Sequence, residues 1–405
     1  MKKLLLYFYI LGLFSISIWD LNAQNKASFE LGSGLNFRMN DGAYQFKIGG
    51  MIQPSVSLEK MNSAKPDYYF NSKRTYFNIS GAALKEKVSF FLQTDFSLGT
   101  PLLDAWVAYK PTNNLTISLG QKQSIANNRE MLIMEDKLQF DERSLLSTSL
   151  SGSGREFGLF ISQKITLKRL GIIPQLAITS GDGRNSFGID SRDVDKGGLK
   201  YCGRIDVYPL GLFVAGNDDL IADLAHEKAL KMVLGGATSY NSGASNSVGE
   251  GHGDFQFYDV NATPKLPDYR KFYGDILLKY QGFSLLGEFA LTSATSLDGS
   301  YTAAATTSPL IPTQISEYLA LGTAYNAQLG YVTKNGFALD LRYDELIPEF
   351  ANNTNSVLRK TNGMTVGFSK YFKQNNLKLQ SSFSSINYGN NTSKLVGSVL
   401  IQLVF

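Results

Sequence analysis

The chain has 405 residues, a formal net charge of +4 and a single cysteine, Cys202. The near balance of charges excludes the concentrated basic face of a nucleic-acid-binding protein, and one cysteine excludes an intramolecular disulfide. After the first 24 residues no stretch approaches 18 consecutive apolar residues, which argues against membrane-spanning helices. Glycine (38), phenylalanine (26) and tyrosine (21) are abundant, which favours many strands and turns.

The first 24 residues predict a secretory signal peptide. Lys2 and Lys3 form a positive start, an apolar stretch follows from Leu4 to Trp19, and 22–24 provides a small-residue cleavage site. Residues 25–44 are interpreted as a short N-terminal periplasmic segment. Residues 45–405 are interpreted as a single domain.

Apolar and polar residues alternate with period 2 along almost the whole chain after residue 45. In the stretch 337–343, for example, apolar side chains alternate with Asp340 and Arg342. The same pattern predicts about sixteen strands, at roughly 45–58, 68–81, 88–98, 102–110, 115–123, 155–166, 172–180, 198–208, 228–240, 271–280, 283–294, 320–333, 337–347, 362–372, 377–388 and 394–405.

Short and long connections take turns between these strands, with three exceptions. This asymmetry is typical of an antiparallel up-and-down transmembrane β-barrel, with short periplasmic turns and long extracellular loops. Such a barrel lies in the outer membrane of a Gram-negative bacterium, where its partner is the membrane lipid. The alternative is a secreted soluble β-rich protein, but a dry core would leave the charges on the second face of each strand unpaired.

When the apolar residues face lipid, the alternating charged residues face the lumen. The cations predicted there are Lys47, Arg74, Lys110, Lys164, Arg204, Lys231, Lys279, Arg342 and Lys378, and the carboxylates are Asp95, Asp104, Glu156, Asp206, Asp275, Glu288, Asp340 and Asp344. This even count predicts a water-filled channel without strong bulk charge selectivity. Pairing across neighbouring strands is the alternative role for each charge.

The connection at 124–154 is the best candidate for a constriction inside the barrel. It is long, and apolar pieces such as Met131–Met134 need a surface on which to pack. The candidates for contact with anions are Arg129, Lys137 and Arg143, and the opposing acids are Glu130, Glu135, Asp136, Asp141 and Glu142. The alternative is an extracellular lid held by salt bridges.

Other site signals are weak. The loop 180–198 carries Asp182, Asp190, Asp193 and Asp195, a composition that could hold calcium although its spacing is not that of an EF-hand. The stretch 216–223 is interpreted as a short periplasmic helix. No catalytic motif occurs, so no enzyme activity and no required cofactor are predicted.

Three segments share a family pattern. They are "YQFKIGGMIQPS" (44–55), "SKRTYFNISGAA" (72–83) and "VSFFLQTDFSLGTPLLDAWVAYKPTNNLTISLGQKQ" (88–123). From about residue 44 to the C-terminus the chain resembles the phosphate-selective porin O and P family, particularly its Bacteroidetes-type members. The resemblance implies a sixteen-stranded, trimeric outer-membrane channel whose third loop, at the position of 124–154, folds inward.

The chain departs from this family where phosphate selectivity arises. Arg74 matches the basic position of the second strand, but Tyr76 occupies the neighbouring place where another basic residue is expected. The third loop has more acids than bases. These departures predict a general porin for small hydrophilic solutes, at most weakly selective for anions.

The final segment, "KLVGSVLIQLVF" (394–405), ends on an aromatic residue. It resembles the last strand of bacterial outer-membrane barrels, which implies that the barrel assembly machinery reads Phe405. Because an open sheet edge is unstable in a membrane, this strand is expected to pair with the first one, near 45–58. Two other functions stay open: a barrel scaffold that binds partners, and a channel specific for an organic anion.

Overall fold

The computed structural model describes residues 26–40, 42–152, 154–185, 197–249, 253–304, 306–389 and 392–405. The predicted signal peptide lies outside the described residues. Sixteen antiparallel strands form one closed barrel, so the predicted fold class is confirmed.

A hairpin of β1 (Lys26–Glu30) and β2 (Gly34–Met39) precedes the barrel. The strands that follow are β3 (Tyr44–Met61), β4 (Asp67–Ala83), β5 (Val88–Asp95), β6 (Leu102–Thr112), β7 (Leu115–Gln123), β8 (Arg155–Gln163) with its continuation β9 (Ile165–Leu167), β10 (Leu170–Thr179), β11 (Lys200–Tyr208), β12 (Lys231–Asn241), the small pair β13 (Phe257–Tyr258) and β14 (Pro264–Lys265), β15 (Asp268–Tyr280), β16 (Phe283–Thr295), β17 (Gly322–Val332), β18 (Phe337–Pro348), β19 (Thr361–Lys373), β20 (Leu377–Tyr388) and β21 (Thr392–Val404).

The last strand closes the barrel against the first. In β21, Ser398 lies opposite Ser57 and Val404 opposite Met51 of β3. The main chain of Phe405 continues this pairing, because its N–H donates to Gly50 O at 2.9 Å and its carbonyl accepts from Gly50 N at 2.7 Å. The predicted pairing of the final segment with 45–58 is therefore confirmed, and the barrel has no open edge.

The alternation in sequence becomes two faces of one wall. On β18, Leu339 and Leu341 are 46% and 47% exposed on the outer face, whereas Asp340 is 1% exposed on the inner face. A continuous outer band of apolar and aromatic side chains suits contact with lipid. The inner face carries the polar and charged residues, which need hydrogen bonds from water or from other segments of the protein.

The connections differ between the two ends of the barrel. At the short-turn end, β15 is joined to β16 by two residues and β6 to β7 by two. The long-loop end carries the connections 124–154, 180–199, 242–267, 296–321 and 349–360. The helices in these connections are α1 (Arg129–Leu132), α2 (Leu145–Leu150) and the 3-10 helices Glu135–Lys137 and Pro312–Glu317.

No helix among the described residues is long and apolar enough to cross a membrane.

The N-terminal hairpin extends the wall at the short-turn end. β2 pairs with the first residues of β3, and Leu35 lies opposite Ile48. On this edge of β3, β2 therefore takes the place next to β3 that β21 occupies farther along the strand. The first position of β2 requires glycine: at Gly34 φ is +67°, and a Cβ would lie 2.1 Å from Ile48 O.

Candidate functional site

The connection 124–154 folds into the barrel lumen. Its polar atoms bond to the inner faces of β11, β15 to β18, β20 and β21. Ser144 caps the N-terminus of helix α2, because its side chain accepts a hydrogen bond from Ser147 N. We call this connection the inserted loop.

A buried network of two arginines and two aspartates anchors the start of the inserted loop. Arg129 Nη2 lies 2.6 Å from Asp206 Oδ1, and Arg129 Nε lies 2.5 Å from Asp275 Oδ1. Arg204 of β11 bonds to the same two carboxylates, at 2.9 and 2.7 Å. A Cβ at Gly235 would lie within 2.6 Å of Asp275, Arg204 and Arg129, so this glycine leaves the room that the network needs. The charges cancel, and each is satisfied by a partner rather than by water.

Glu130 lies at the centre of the inserted loop. Its carboxylate accepts hydrogen bonds from Ser144 and Ser147 within the loop and from Gln328 of the wall, at 2.5 to 2.8 Å. Burial raises the pKa of Glu130, but the charges of Arg342 and Arg143 and these hydrogen bonds outweigh burial and lower it below the ordinary value. Glu130 is therefore an ionised anchor of the loop.

A second set of ion pairs joins the inserted loop to β8. Arg143 donates to Glu130 O and to Ile133 O, and its Nη2 lies 2.9 Å from Glu135. Arg155 of β8 lies 3.5 Å from Glu135 and 2.9 Å from Asp104. Burial acts to raise the pKa of Glu135, yet these guanidinium groups hold it well below the ordinary value. Arg143 is thus used inside the protein rather than presented to the lumen.

The middle of the inserted loop docks on β20, β21 and β4. Asp141 accepts hydrogen bonds from Ser382 and Ser398, both at 2.5 Å, and lies 3.3 Å from Lys73 Nζ. Burial raises the pKa of Asp141, but Lys73 and the two hydroxyl groups lower it below the ordinary value. Lys73 also pairs with Glu142, whose side chain is 61% exposed.

A β-bulge places two neighbouring cations of β4 on the lumen side. The register shifts between the pairs of Ile52 with Thr75 and of Pro54 with Ser72, so β4 has one extra residue there. Lys73 reaches Asp141, and Arg74 donates to Gln53 at 2.9 Å. Sequence alternation predicts only Arg74 here, because a bulge breaks the period of 2 without a sequence signal.

The segment around Asp136 and Lys137 is held by its main chain. Lys378 Nζ donates to Asp136 O at 2.8 Å, and Gln402 donates to the same carbonyl at 2.9 Å. Burial raises the pKa of the Asp136 carboxyl group. The side chain of Lys137 instead reaches Asp219, beyond the inserted loop.

Apolar contacts hold the end of the inserted loop. Leu146 and Leu150 of α2 are fully buried against Tyr273, Ala290 and Ala324 of the wall. Each leucine removed from water in this way contributes about 1.5–3 kcal/mol. The prediction that the apolar residues of 124–154 pack on the inner wall is supported by these contacts.

A second segment enters the lumen from the short-turn end. It runs from 209 to 230, between β11 and β12, and Ile221 is fully buried. Lys279 of the wall donates to the carbonyls of Asn217, Leu220 and Ala222 at 2.5, 2.9 and 3.1 Å. The predicted short helix at 216–223 was wrong: this stretch forms turns, because its carbonyls bond to Lys279 instead of to helical N–H groups.

The two inserted segments meet inside the barrel. Ile133 and Leu138 of the inserted loop share one apolar cluster with Phe213 and Ile221 of the second segment. Lys137 pairs with Asp219 across the same contact. Chain segments from both ends of the barrel therefore pack against the inner faces of β11, β12, β15 and β16.

The charges predicted for the lumen differ sharply in their exposure. All eight carboxylates are buried, at 1–8% exposure. Among the cations, Arg204, Lys279, Arg342 and Lys378 are buried, but Lys47, Arg74, Lys110, Lys164 and Lys231 are partly or fully exposed. Among the exposed carboxylates of the inserted segments, Glu142 and Asp219 lie beside Lys73 and Lys137, and Asp218 is exposed as well. Of the charges predicted for the lumen, an ion thus has access to five cations and to none of the eight carboxylates.

Several predicted residues lie away from the constriction. Asp95, at the end of β5, accepts hydrogen bonds from Thr75 N and from Ser97. Asp182 is buried, whereas Asp190, Asp193 and Asp195 lie outside the described residues, so the calcium site stays a prediction. In the part of the chain that the structure describes, no three His, Cys, Asp or Glu residues are grouped to hold a metal ion.

No protein-family model and no curated protein matches the sequence. Solved structures do match the fold. The outer membrane channel DcaP of Acinetobacter baumannii has a TM-score of 0.56 at 11% identity, covering 90% of this chain and 99% of that chain. OprB of Pseudomonas putida has a TM-score of 0.56 at 11% identity, covering 89% and 94%.

OmpT of Vibrio cholerae, an outer membrane protein folded in vitro and solved in a trimer form, has a TM-score of 0.50 at 10% identity, covering 89% and 99%. At these identities the likeness shows a shared barrel fold.

Proposed function

We propose that this chain is a porin in the outer membrane of a Gram-negative bacterium. It lets small hydrophilic solutes diffuse through a water-filled lumen and has at most a weak preference for anions such as phosphate. The observation that carries the proposal is the charge arrangement of a closed barrel: every predicted lumen carboxylate is buried, while five cations stay accessible. No enzymatic step is part of this function.

The barrel itself supports the membrane location. A closed sheet satisfies its own backbone hydrogen bonds, and its outer face is an apolar band. The similar solved barrels DcaP and OmpT are described as outer-membrane proteins. By analogy with the trimer form of OmpT we propose a homotrimer, inserted by the barrel assembly machinery with Phe405 at its C-terminal seam.

The kinship with the phosphate-selective porin family is also a proposal. It rests on the quoted motifs and on Arg74, which lies on the lumen side as the family's second-strand cation would. Tyr76, where another basic residue is expected, is 7% exposed and belongs to an apolar cluster with Met51 and Leu103. The weak form of anion preference therefore fits this lumen better than a phosphate-specific site.

A second function deserves a test because the two inserted segments meet in the lumen. If they close the remaining path, the barrel is a scaffold whose long loops bind partners in the envelope. The contact of Lys137 with Asp219 is the observation that favours this alternative.

Single-channel recording separates the two functions. The purified full-length barrel is inserted into a planar bilayer, and its folding is checked by heat-modifiable electrophoretic mobility. A porin gives an ohmic conductance, and its reversal potential in a KCl gradient gives a chloride-to-potassium permeability ratio slightly above 1. A folded barrel that inserts but carries no current would contradict the porin proposal and support the scaffold.

A further inference from the structure

Lys122 of β7 lies between two aromatic rings on the lumen wall. Its Nζ is 5.3 Å from the ring centroid of Trp106 and 5.3 Å from that of Phe160. Such distances allow cation–π attraction. The ring of Phe91 lies 5.9 Å from that of Trp106 and extends the aromatic surface. We call Phe91, Trp106, Lys122 and Phe160 the aromatic patch.

Strand pairing places the aromatic patch on the inner face. Phe91 lies directly opposite Trp106 on neighbouring strands. Their chain neighbours on the other face include Val107, which is 54% exposed in the outer apolar band. Trp106 and Lys122 are partly exposed on the opposite face, whereas Phe160 is buried. Trp106 and Lys122 are therefore accessible from the lumen.

The neighbouring carboxylates already have other partners. Asp104 pairs with Arg155 at 2.9 Å, and Glu156 pairs with Lys200. Across the described residues, no hydrogen-bond acceptor or carboxylate lies within bonding distance of Lys122 Nζ. A partly buried ammonium group without an acceptor binds an incoming anion more strongly than a fully hydrated one does, because less water must be displaced.

The aromatic patch lies beside the entrance of the inserted loop. Ile125 and Ala126, at the start of that loop, pack against Phe160. Gln123, next to Lys122, donates to Met131 O within the loop. A solute passing the constriction on this side of the lumen therefore comes within reach of the patch.

From this geometry we propose that the aromatic patch is a binding subsite for small aromatic carboxylates. The carboxylate group accepts a hydrogen bond from Lys122 Nζ, and the flat ring packs against Trp106 and Phe91. Inorganic phosphate can accept a hydrogen bond from Lys122 Nζ but has no apolar ring to pack against Trp106 and Phe91. A neutral sugar has no negative charge to attract Lys122. This inference rests on the proposed porin function and adds a class of solute to it.

Benzoate is a suitable probe, with acetate and phosphate as matched anions without a ring. In the full-length wild-type barrel, millimolar benzoate is expected to reduce the KCl current, and acetate or phosphate at equal concentration to leave it unchanged. Lys122→Met and Trp106→Ala are each expected to raise the half-blocking concentration at least tenfold. Lys87→Met, which removes an exposed cation in the turn between β4 and β5 and outside the patch, is the control and keeps the block.

Equal block by acetate, or unchanged benzoate block in Lys122→Met, would overturn the subsite while leaving the porin function intact. A barrel without KCl current would overturn the porin function, and the subsite is then tested by fluorescence. The chain has two tryptophans, Trp19 and Trp106. Trp19 lies in the predicted signal peptide, so the fluorescence of the processed barrel comes from Trp106. Saturable quenching of this fluorescence by benzoate that is lost on Lys122→Met supports the subsite, and the absence of saturable quenching refutes it.

Discussion

Lys137 and Asp219 form an ion pair between chain segments that enter the barrel from opposite ends. Their side chains are 28% and 50% exposed, so water screens the pair and its contribution to stability is about 1 kcal/mol or less. Its electrostatic role is larger, because Lys137 neutralises an exposed carboxylate inside the lumen.

Replacing Lys137 by alanine should therefore change ion selectivity more than stability. Asp219 is left uncompensated, and we expect the chloride-to-potassium permeability ratio to fall while the heat-modification temperature stays the same. The reversal potential in a KCl gradient measures the ratio. In the double variant Lys137→Ala, Asp219→Asn the wild-type ratio should return; a ratio that stays low would show that Asp219 is not the group responsible.

Replacing Gly235 by valine should release the inserted loop. A Cβ there would lie 2.3 Å from Asp275 Oδ1 and 2.6 Å from Arg129 Nη2, which forces the buried network apart. Separating buried ion pairs costs about 3–5 kcal/mol. We expect protease cleavage within 124–154 and a larger, noisier conductance.

The matched control is the neighbouring glycine. A Cβ at Gly236 meets nothing within 4 Å, so Gly236→Val should behave like the wild type. If both variants resist protease equally, the network around Arg129 does not hold the loop.

The seam near Phe405 is expected to tolerate no side chain at Gly50. A Cβ at this position would lie 2.7 Å from Tyr76 O and 2.9 Å from the ring of Phe405. We expect Gly50→Val to reduce the fraction of barrel that runs as the folded form in unheated gels. Gly274→Val is the control, since its nearest neighbour would be 3.9 Å away. Equal folded fractions for the two variants would contradict the expectation that close packing of Gly50 against Phe405 is needed for the barrel to close.

The ion pairs of Glu135 and Asp141 should hold the inserted loop until strongly acidic conditions. The pKa values of Glu135 and Asp141 are lowered in the folded protein, so both carboxylates stabilise the docked loop at any pH above their unfolded values. This contribution is lost only as the pH falls below about 4, the ordinary range of carboxyl groups. Asp136, whose pKa is raised, docks through its carbonyl oxygen and does not alter this expectation.

Recording from about pH 8 down to about pH 3 covers the titration range of ordinary carboxyl groups. A steady conductance that becomes unstable only at the acidic end is the expected result. A transition near pH 6 would show that another group controls the loop.

The sixteen strands could be predicted because an apolar outer face and a polar inner face impose a period of 2 on each strand. The residues that hold the inserted loop in the lumen could not be predicted. Arg129 is visible in the sequence as a cation, but its contact with Asp206 and Asp275 depends on how the loop folds back across the lumen. Sequence reasoning assigned it to anion contact, whereas the structure uses its charge to hold the loop.

Lys73 and Lys122 were missed for different reasons. A bulge turns Lys73 toward the lumen against the alternation of β4. Lys122 follows the alternation of β7, but its place between two rings depends on the registers of β6 and β8. The inward path of 209–230 likewise depends on Lys279, a distant residue that bonds to its carbonyls.

The burial of every predicted lumen carboxylate determines how the barrel responds to a higher salt concentration and to substitution of its exposed cations. Partners at 2.5–3 Å stay paired at high ionic strength, whereas exposed cations act on permeating ions over distances comparable with the Debye length of about 8 Å. Raising the salt concentration should thus remove selectivity without loosening the barrel. In the proposed porin, substitutions at Lys47 or Lys110 should then change solute preference without loss of folding stability.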